Sequence, residues 1–377
     1  MEIYLIGLAV ALVGGLLMSR LTRLLHLPAV TAYLVAGLLL GPFFLGRLNV
    51  PGLGFNTLEE VNVLSIVSQT ALGFIAFAMG NEFRLSQLRT IGSRAIIIGI
   101  LQAVITTIVV DVILLLLHLF FPHIISVPCA ITLGAIAAAT APAATLMVVR
   151  QYKADGPMTR LLMLVVALDD AVGLLLFSVS FGIATALSNG QVSVLAVVVE
   201  PIVEILLSVG LGGFMGLLLH WVERFFHSRS KRMSLSVAFV MLTVGLSMLE
   251  FQIGPVHCGF SLLLVCMMTG TIFCNVCPTS EELMERVDGW TMPLNILFFV
   301  ISGAELDLNV LSQPVTLIVG IIYIIARSAG KYCGANLSCR ITKEPKSIVD
   351  HLGITLLPQA GVALGMAITA ASLSDGA

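Results

Sequence analysis

Charged side chains are scarce in this sequence. Only 11% of its 377 residues are Asp, Glu, Lys or Arg, whereas 58% are hydrophobic. A soluble domain carries about 25% charged residues, which cover its water-facing surface. The chain lacks the charges that such a surface needs. Its net charge of −2 gives no indication of nucleic-acid binding.

The sequence also lacks a secretory signal and a complete zinc-binding motif. The first apolar run, from about Ile3, has no basic segment before it and no small-residue cleavage site, so we predict a membrane helix there rather than a secretory signal. The seven cysteines are scattered, and Cys274 and Cys277 have no second pair to complete a zinc site. We therefore interpret these cysteines as packing residues and expect no cofactor.

Apolar windows of about 20 residues recur along almost the whole length, which indicates an all-α polytopic membrane protein. Alternating segments of about 10 residues, typical of membrane β-barrels, do not occur. The predicted spans are about 2–25, 28–46, 61–82, 93–121, 127–149, 160–187, 192–224, 233–252, 256–276, 291–306, 313–339 and 350–374.

The basic residues predict the orientation of the spans. Sixteen of the nineteen Lys and Arg residues lie in alternate loops, whereas the opposite loops contain only Arg47. Arg327 and Lys331 lie inside a span. Because cytoplasmic loops carry an excess of Lys and Arg, the N-terminus is predicted to lie outside.

Two stretches resemble each other, which favours an inverted repeat. Residues 133–146 and 352–365 align without a gap, and each contains a mid-span proline, Pro142 or Pro358. The copies occupy the fifth and twelfth spans, so they run in opposite directions through the membrane. Inverted repeats are typical of secondary transporters.

The mid-span prolines also predict broken helices. Proline removes a backbone donor and frees a carbonyl one turn earlier. In lipid such a break is tolerated where it lines a cavity or is packed by neighbours, and the hydroxyl of Thr140 adds an oxygen there. The predicted broken-helix positions are Ala141, Pro142, Pro358, Gln359 and Gly361.

Asp169 and Asp170 are adjacent carboxylates inside an apolar span. A charge at the bilayer centre costs about 2.5–3.5 kcal/mol on insertion scales, so such residues commonly mark ion pathways. Adjacent helical residues point about 100° apart and can have different partners. Arg327 and Lys331, one turn apart, are the candidate cations. A purely structural ion-pair cluster is the alternative interpretation.

Seven motifs are spread over almost the whole chain: "LPAVTAYLVAGLLLGP" (27–42), "FAMGNEF", "ATAPAATLMVVRQYKADGPMTR", "ALDDAVGLLLF", "ILFFVISGAELDL", "ARSAGKYCGA" and "LLPQAGVALGMA". In these motifs the sequence resembles the bacterial monovalent cation:proton antiporters, the sodium/proton exchanger superfamily with thirteen helices.

The resemblance implies roles for individual residues. Asp170 corresponds to the carboxylate that binds the ion and carries the proton, and Thr140 to a neighbour that coordinates Na⁺. Asp169 corresponds to the partner of a basic residue followed by x-x-Gly. Both Arg327 and Lys331 fit that pattern, and we favour Arg327.

The resemblance also implies an inverted-repeat antiporter fold with two crossing broken helices in a single transmembrane domain, residues 1–377. Residues 61–187 and 291–377 would form the moving, ion-binding core. Residues 1–46 and 192–276 would form the scaffold of a homodimer in membrane lipid.

The expected function is Na⁺ (or Li⁺) exchange for H⁺ across the bacterial inner membrane by an elevator-like movement. The double aspartate favours electrogenic exchange. A K⁺/H⁺ antiporter is the main alternative, and a cation channel or an intramembrane aspartyl enzyme is more remote. The family's thirteenth helix is missing before Ala377, so we expect a fragment that could precede a cytoplasmic regulatory domain.

Overall fold

Helices make up almost all of the fold in the computed structural model. It describes residues 2–24, 28–48, 50, 54–80, 83–189, 200–249, 251–253, 256–359, 363, 366, 367 and 370. The helices of the first half are α1 (Glu2–Leu24), α2 (Ala29–Leu40), α3 (Leu58–Val63), α4 (Ser65–Gly80), α5 (Leu85–Phe120), α6 (Val127–Ala138), α7 (Pro142–Gln151) and α8 (Pro157–Asn189).

The second half continues with six helices in its described part. A short 3₁₀ turn, Leu45–Leu48, follows α2, and a second one, Leu308–Ser312, precedes the helix that begins at Pro314. The helices are α9 (Glu200–Glu223), α10 (Arg229–Ser247), α11 (Leu262–Val276), α12 (Ser280–Ala304), α13 (Pro314–Ile341) and α14 (Lys346–Thr355).

Each of the twelve predicted spans contains one helix or two successive helices in its described part. Parts of several spans, above all the seventh and the last, lie outside the described residues. Seven helices of the described part are long and apolar enough to cross a membrane. They are Tyr4–Thr22, Ala29–Leu48, Gly92–Phe120, Val127–Gln151, Ile202–Glu223, Ser280–Ala304 and Pro314–Ile341. Three shorter apolar helices accompany them.

The predicted start of the ninth span, at residue 256, is wrong. Strand β1 (Phe251–Ile253) pairs antiparallel with β2 (Val256–Cys258) instead, and α11 begins only at Leu262. The hydroxyl of Ser261 accepts a hydrogen bond from the backbone N–H of Leu264 at 3.4 Å. This N-cap stabilises the start of the helix at that point.

Glycines bring α13 against α5, and this contact positions the candidate site. A Cβ atom added at Gly334 would lie 2.9 Å from the carbonyl oxygen of Gln102. One added at Gly330 would lie 3.0 Å from Cα of Thr106. With hydrogen in place of a side chain, the two backbones can approach closely, as is common between membrane helices. Lys331, between these glycines, therefore lies next to α5.

Large apolar side chains cover the outer faces of the helices. Leu5 and Leu17 on α1 are 66% and 65% exposed, and Ile324 and Ile325 on α13 are 63% and 64% exposed. A water-facing surface would carry few such residues in contiguous patches. These faces suit the hydrocarbon of a bilayer, as expected for a multi-pass membrane protein.

Candidate functional site

The first helix break lies between α6 and α7. Residues 139–141 are not helical, and Ala139 and Ala141 have extended backbones, with ψ angles of 138° and 98°. Pro142 occupies the first position of α7, where its missing N–H breaks no intrahelical hydrogen bond. Thr140, in the middle of the break, is fully buried.

The second break follows α14 and meets the first. The chain leaves the helix after Thr355 and runs without helical structure through Pro358 and Gln359. The N–H of Ala141 donates a hydrogen bond to the carbonyl oxygen of Pro358 at 2.9 Å. The Nε2 amide of Gln359 donates to the carbonyl oxygen of Ile136 at 2.9 Å. Two broken helices thus join at their breaks, as predicted, and satisfy each other's backbone groups.

A buried ion pair lies beside this junction. Nζ of Lys331 is 2.9 Å from Oδ2 of Asp169, and neither side chain is exposed. The hydroxyl of Thr140 donates to the same Oδ2 at 2.5 Å and lies 2.9 Å from Nζ of Lys331, from which it accepts. The hydroxyl therefore bridges the two charges, and a buried pair needs such additional hydrogen bonds to offset the loss of water.

Gln102 of α5 completes the network. Its Nε2 amide donates to Oδ1 of Asp169, and its Oε1 accepts from Nζ of Lys331 at 3.0 Å. Nζ also donates to the carbonyl oxygen of Ala138 at 2.5 Å, at the edge of the first break. The donor end of the amide therefore contacts the carboxylate, and its acceptor end contacts the ammonium group. Four separate elements, α5, the first break, α8 and α13, contribute to this site.

Arg327, the favoured partner of Asp169, is not its ion-pair partner, and that prediction is wrong. Its guanidinium group donates to backbone carbonyls instead: to Ala137 at 3.2 Å, to Ala139 at 2.8 Å and to Leu357 at 2.6 Å. The planar fork of arginine can reach several acceptors at fixed angles. Here it binds carbonyls at both breaks, and Lys331 one turn later reaches the carboxylate.

Two predicted site residues cannot be placed at the same level of detail. Asp170 is a residue of α8, but its side chain lies outside the described part of the chain. Gly361 also lies outside the described residues. The structure thus brings together Asp169, Thr140 and Lys331 of the predicted polar residues.

Gln102 and Tyr323 join the site without having been predicted. The hydroxyl of Tyr323 lies 2.9 Å from Nε2 of Gln359, which fixes that amide against the first break. Gln102 is a lone amide in the long apolar run of α5. A buried polar side chain needs hydrogen-bond partners, so an amide in such a run indicates a polar contact, although its position does not identify the partners.

The chain matches the family described as "Sodium/hydrogen exchanger, transmembrane" over residues 8–376. It belongs to this family. Members are cation/proton antiporters, so the chain is a membrane transporter rather than an enzyme. Sodium/proton exchange and ion transport are accordingly its class of function.

Individual relatives agree with this assignment. The Na(+)/H(+) antiporter NhaS4 of Synechocystis is 24% identical over 365 residues, which cover 93% of this chain and 83% of that protein. The K(+) efflux antiporter 5 of Arabidopsis thaliana is 31% identical, but over only 94 residues, or 25% of this chain and 14% of that protein.

The fold is that of a solved antiporter. The sodium proton antiporter MjNhaP1 from Methanocaldococcus jannaschii at pH 8 superimposes with a TM-score of 0.65 at 20% identity, covering 98% of this chain and 86% of that chain. Its structure from a 3D EM map gives a TM-score of 0.75 at 18% identity, with coverage of 98% and 85%.

Proposed function

We propose that this chain exchanges Na⁺ or Li⁺ for H⁺ across the bacterial inner membrane by alternating access. The observation that carries the proposal is the fully buried Asp169–Lys331 pair at the junction of two broken helices. Ionisable groups inside a membrane protein commonly mark the pathway of ions or protons. The two similar antiporters named for Na⁺ also support this cation.

In this proposal Asp170 binds the cation, and the hydroxyl of Thr140 is an additional oxygen ligand. Carboxylate and hydroxyl oxygens suit a hard cation such as Na⁺ or Li⁺. A protonated Asp170 holds a cation poorly, whereas an ionised one needs a compensating charge. Cation and proton therefore compete, and their flows are coupled if only the charge-compensated site crosses the membrane.

Lys331 as the partner of Asp169 has a consequence for charge movement. A buried lysine can release its proton, whereas an arginine in this position effectively cannot. Lys331 and Asp170 together would offer two protons per Na⁺, which makes the exchange electrogenic. A net charge moved across the membrane is worth about 2.3 kcal/mol per 100 mV, so the membrane potential would then drive Na⁺ export.

We further propose an elevator-like movement. Gln102, Thr140, Asp169 and Lys331 all lie within residues 61–187 and 291–377, which would move as the core. Residues 1–46 and 192–276 would form the static scaffold of a homodimer. The N-terminus would lie outside, as the distribution of basic residues indicates.

K⁺/H⁺ exchange on the same scaffold is the second candidate. It is favoured by the partial similarity to the K(+) efflux antiporter 5 of Arabidopsis thaliana. Na⁺ and K⁺ bind the same kinds of oxygen atoms, so the two activities are separated by measuring which cation is exchanged.

The test is proton release from acid-loaded everted vesicles on addition of Na⁺, Li⁺ or K⁺. Asp170→Asn is compared with Asp155→Asn, which changes an exposed loop carboxylate. We expect a response to Na⁺ and Li⁺ that depends on membrane potential, is lost in Asp170→Asn and is retained in the control. A response to K⁺ alone would establish the second candidate, and wild-type exchange by Asp170→Asn would refute the site.

A further inference from the structure

Three side chains with metal-binding atoms meet at the end of α9, away from the ion pair. His220 and Glu223 lie on α9, and Cys277 follows α11. One ligand atom from each residue lies within 4.8 Å of the others. All three residues are buried, with exposures of 8%, 3% and 3%. We propose that they form a binding site for a transition-metal ion of the Zn²⁺ type.

The spacing of the residues suits a shared ligand. His220 and Glu223 are three positions apart, so their side chains lie on the same face of the helix. Cys277 reaches this face from the turn that connects α11 with α12, and its Sγ lies 3.5 Å from Oε2 of Glu223. The ligands thus come from two places that are distant in sequence, and a metal ion would tie them together.

The chemistry of the three ligands selects the class of metal. Imidazole nitrogen, thiolate sulfur and carboxylate oxygen are the ligands of Zn²⁺, and three protein ligands with a water in the fourth position form a common zinc arrangement. Na⁺, Mg²⁺ and Ca²⁺ prefer sites made of oxygen atoms alone. The proposed ion is therefore chemically distinct from the transported cation.

Glu223 is held in a position to bind. Its Oε1 accepts a hydrogen bond from the hydroxyl of Thr279 at 3.1 Å. Oε1 also forms an ion pair with Arg232, whose Nε lies 3.0 Å away. Oε2, on the other side, faces the thiol of Cys277. Carboxylates that bind metals are usually fixed by such outer hydrogen bonds. Binding would replace the thiol proton of Cys277, which leaves to solvent.

His220 already presents a lone pair to a cation. A guanidinium nitrogen of Arg224 lies 2.7 Å from its Nε2, and a guanidinium group can only donate. Nε2 is therefore unprotonated in this contact, which is the form that a metal needs. Nδ1 is buried without a hydrogen-bond partner among the described residues. Arg224 is exposed, so its side chain can turn to solvent and release Nε2. Either ring nitrogen can then bind the metal in the matching tautomer.

The experiment measures binding of Zn²⁺ to the purified full chain in detergent, after chelator treatment, by competition with a chromophoric metal indicator. Cys277→Ser and His220→Gln remove a ligand each. The matched controls are Cys274→Ser, a neighbouring buried cysteine outside the cluster, and His227→Gln, an exposed histidine. Co²⁺ serves as a second probe, since a cobalt–thiolate bond gives a charge-transfer absorption band.

We expect one Zn²⁺ per chain for the wild type and both controls. Loss of a ligand should weaken binding by more than the about 10–100-fold that follows loss of a supporting hydrogen bond. The cobalt–thiolate band should vanish in Cys277→Ser and persist in Cys274→Ser. Equal Zn²⁺ affinity in ligand variants and controls, or a wild type that binds no Zn²⁺, would overturn the proposal. Melting temperatures of the metal-free variants identify any that fail to fold.

Discussion

At the scale of single residues, Asp169 and Lys331 depend on each other. Both are fully buried, so each carries a charge that water cannot stabilise. Removing one member of such a pair costs about 3–5 kcal/mol because the other charge is left uncompensated, whereas replacing both is often close to neutral.

We predict that Asp169→Asn and Lys331→Gln each lower the melting temperature of the detergent-solubilised protein. The double variant should be more stable than either single variant, because it contains no unpaired buried charge. Thermal unfolding of all four proteins measures this coupling. Losses in the double variant equal to the sum of the single losses would contradict the ion pair.

The sequence could not predict which of Arg327 and Lys331 pairs with Asp169. Both lie on one face of α13 and both precede x-x-Gly, so neither periodicity nor motif distinguishes them. The choice depends on depth along the helix relative to α8, which is a tertiary property. The helix breaks could be predicted because Pro142 and Pro358 act locally, through a missing donor.

Replacement of Arg327 by Lys tests whether the planar guanidinium group or only the positive charge of Arg327 is needed. The guanidinium group binds three backbone carbonyls, and lysine cannot reproduce that planar arrangement. We expect Arg327→Lys to lose most of the stability that Arg327→Gln loses, since a hydrogen bond to a charged group contributes about 1.5–3 kcal/mol. Wild-type melting of Arg327→Lys would mean that the positive charge alone matters.

At the scale of elements, the approach of α13 to α5 controls the geometry of the site. Gly334 faces the backbone of Gln102, whereas Gly320, on the same helix, has no atom within 4 Å of an added Cβ. The same substitution at these two positions therefore separates helix packing from helix propensity.

We predict that Gly334→Ala destabilises the protein by about 1–3 kcal/mol, because the added methyl group forces the helices apart. Gly320→Ala should be neutral or stabilising by up to about 1 kcal/mol, since alanine favours the helix. Melting temperatures of the two variants, with Na⁺-dependent proton release as a second measurement, provide the comparison. Equal melting of both variants would show that the close approach is unimportant.

The order of the membrane spans could be predicted from the sequence, because the length of each apolar stretch and the placement of basic residues in the loops are set by the bilayer. The role of Gln102 was not accessible in this way, because one amide in the apolar run of α5 has no spacing that points to a partner. Its two charged partners, Asp169 and Lys331, lie 67 and 229 residues away along the chain. Only the packing of α5 between α8 and α13 brings the three side chains together.

At the scale of the whole molecule, the basic loops predict which side of the membrane each end of a helix faces. In a variant without the native cysteines, Lys153→Cys should react with a membrane-impermeant maleimide only in everted vesicles. Arg47→Cys should react only in intact cells, because residue 47 is predicted to lie on the outer side of the membrane. Labelling of both cysteines from the same side would contradict the proposed topology.

The hydrogen bonds from α13 to the first broken helix also constrain when the buried site can be assembled during synthesis. Arg327 donates to the carbonyl of Ala137, which lies 190 residues earlier in the chain. The first broken helix thus leaves the ribosome long before the groups that satisfy its carbonyls are synthesised. Since an unpaired carbonyl is costly in lipid, we expect this segment to stay in water or against other protein until α13 has been synthesised. The buried site around Asp169 and Lys331 is therefore expected to assemble late, after most of the polypeptide has been synthesised.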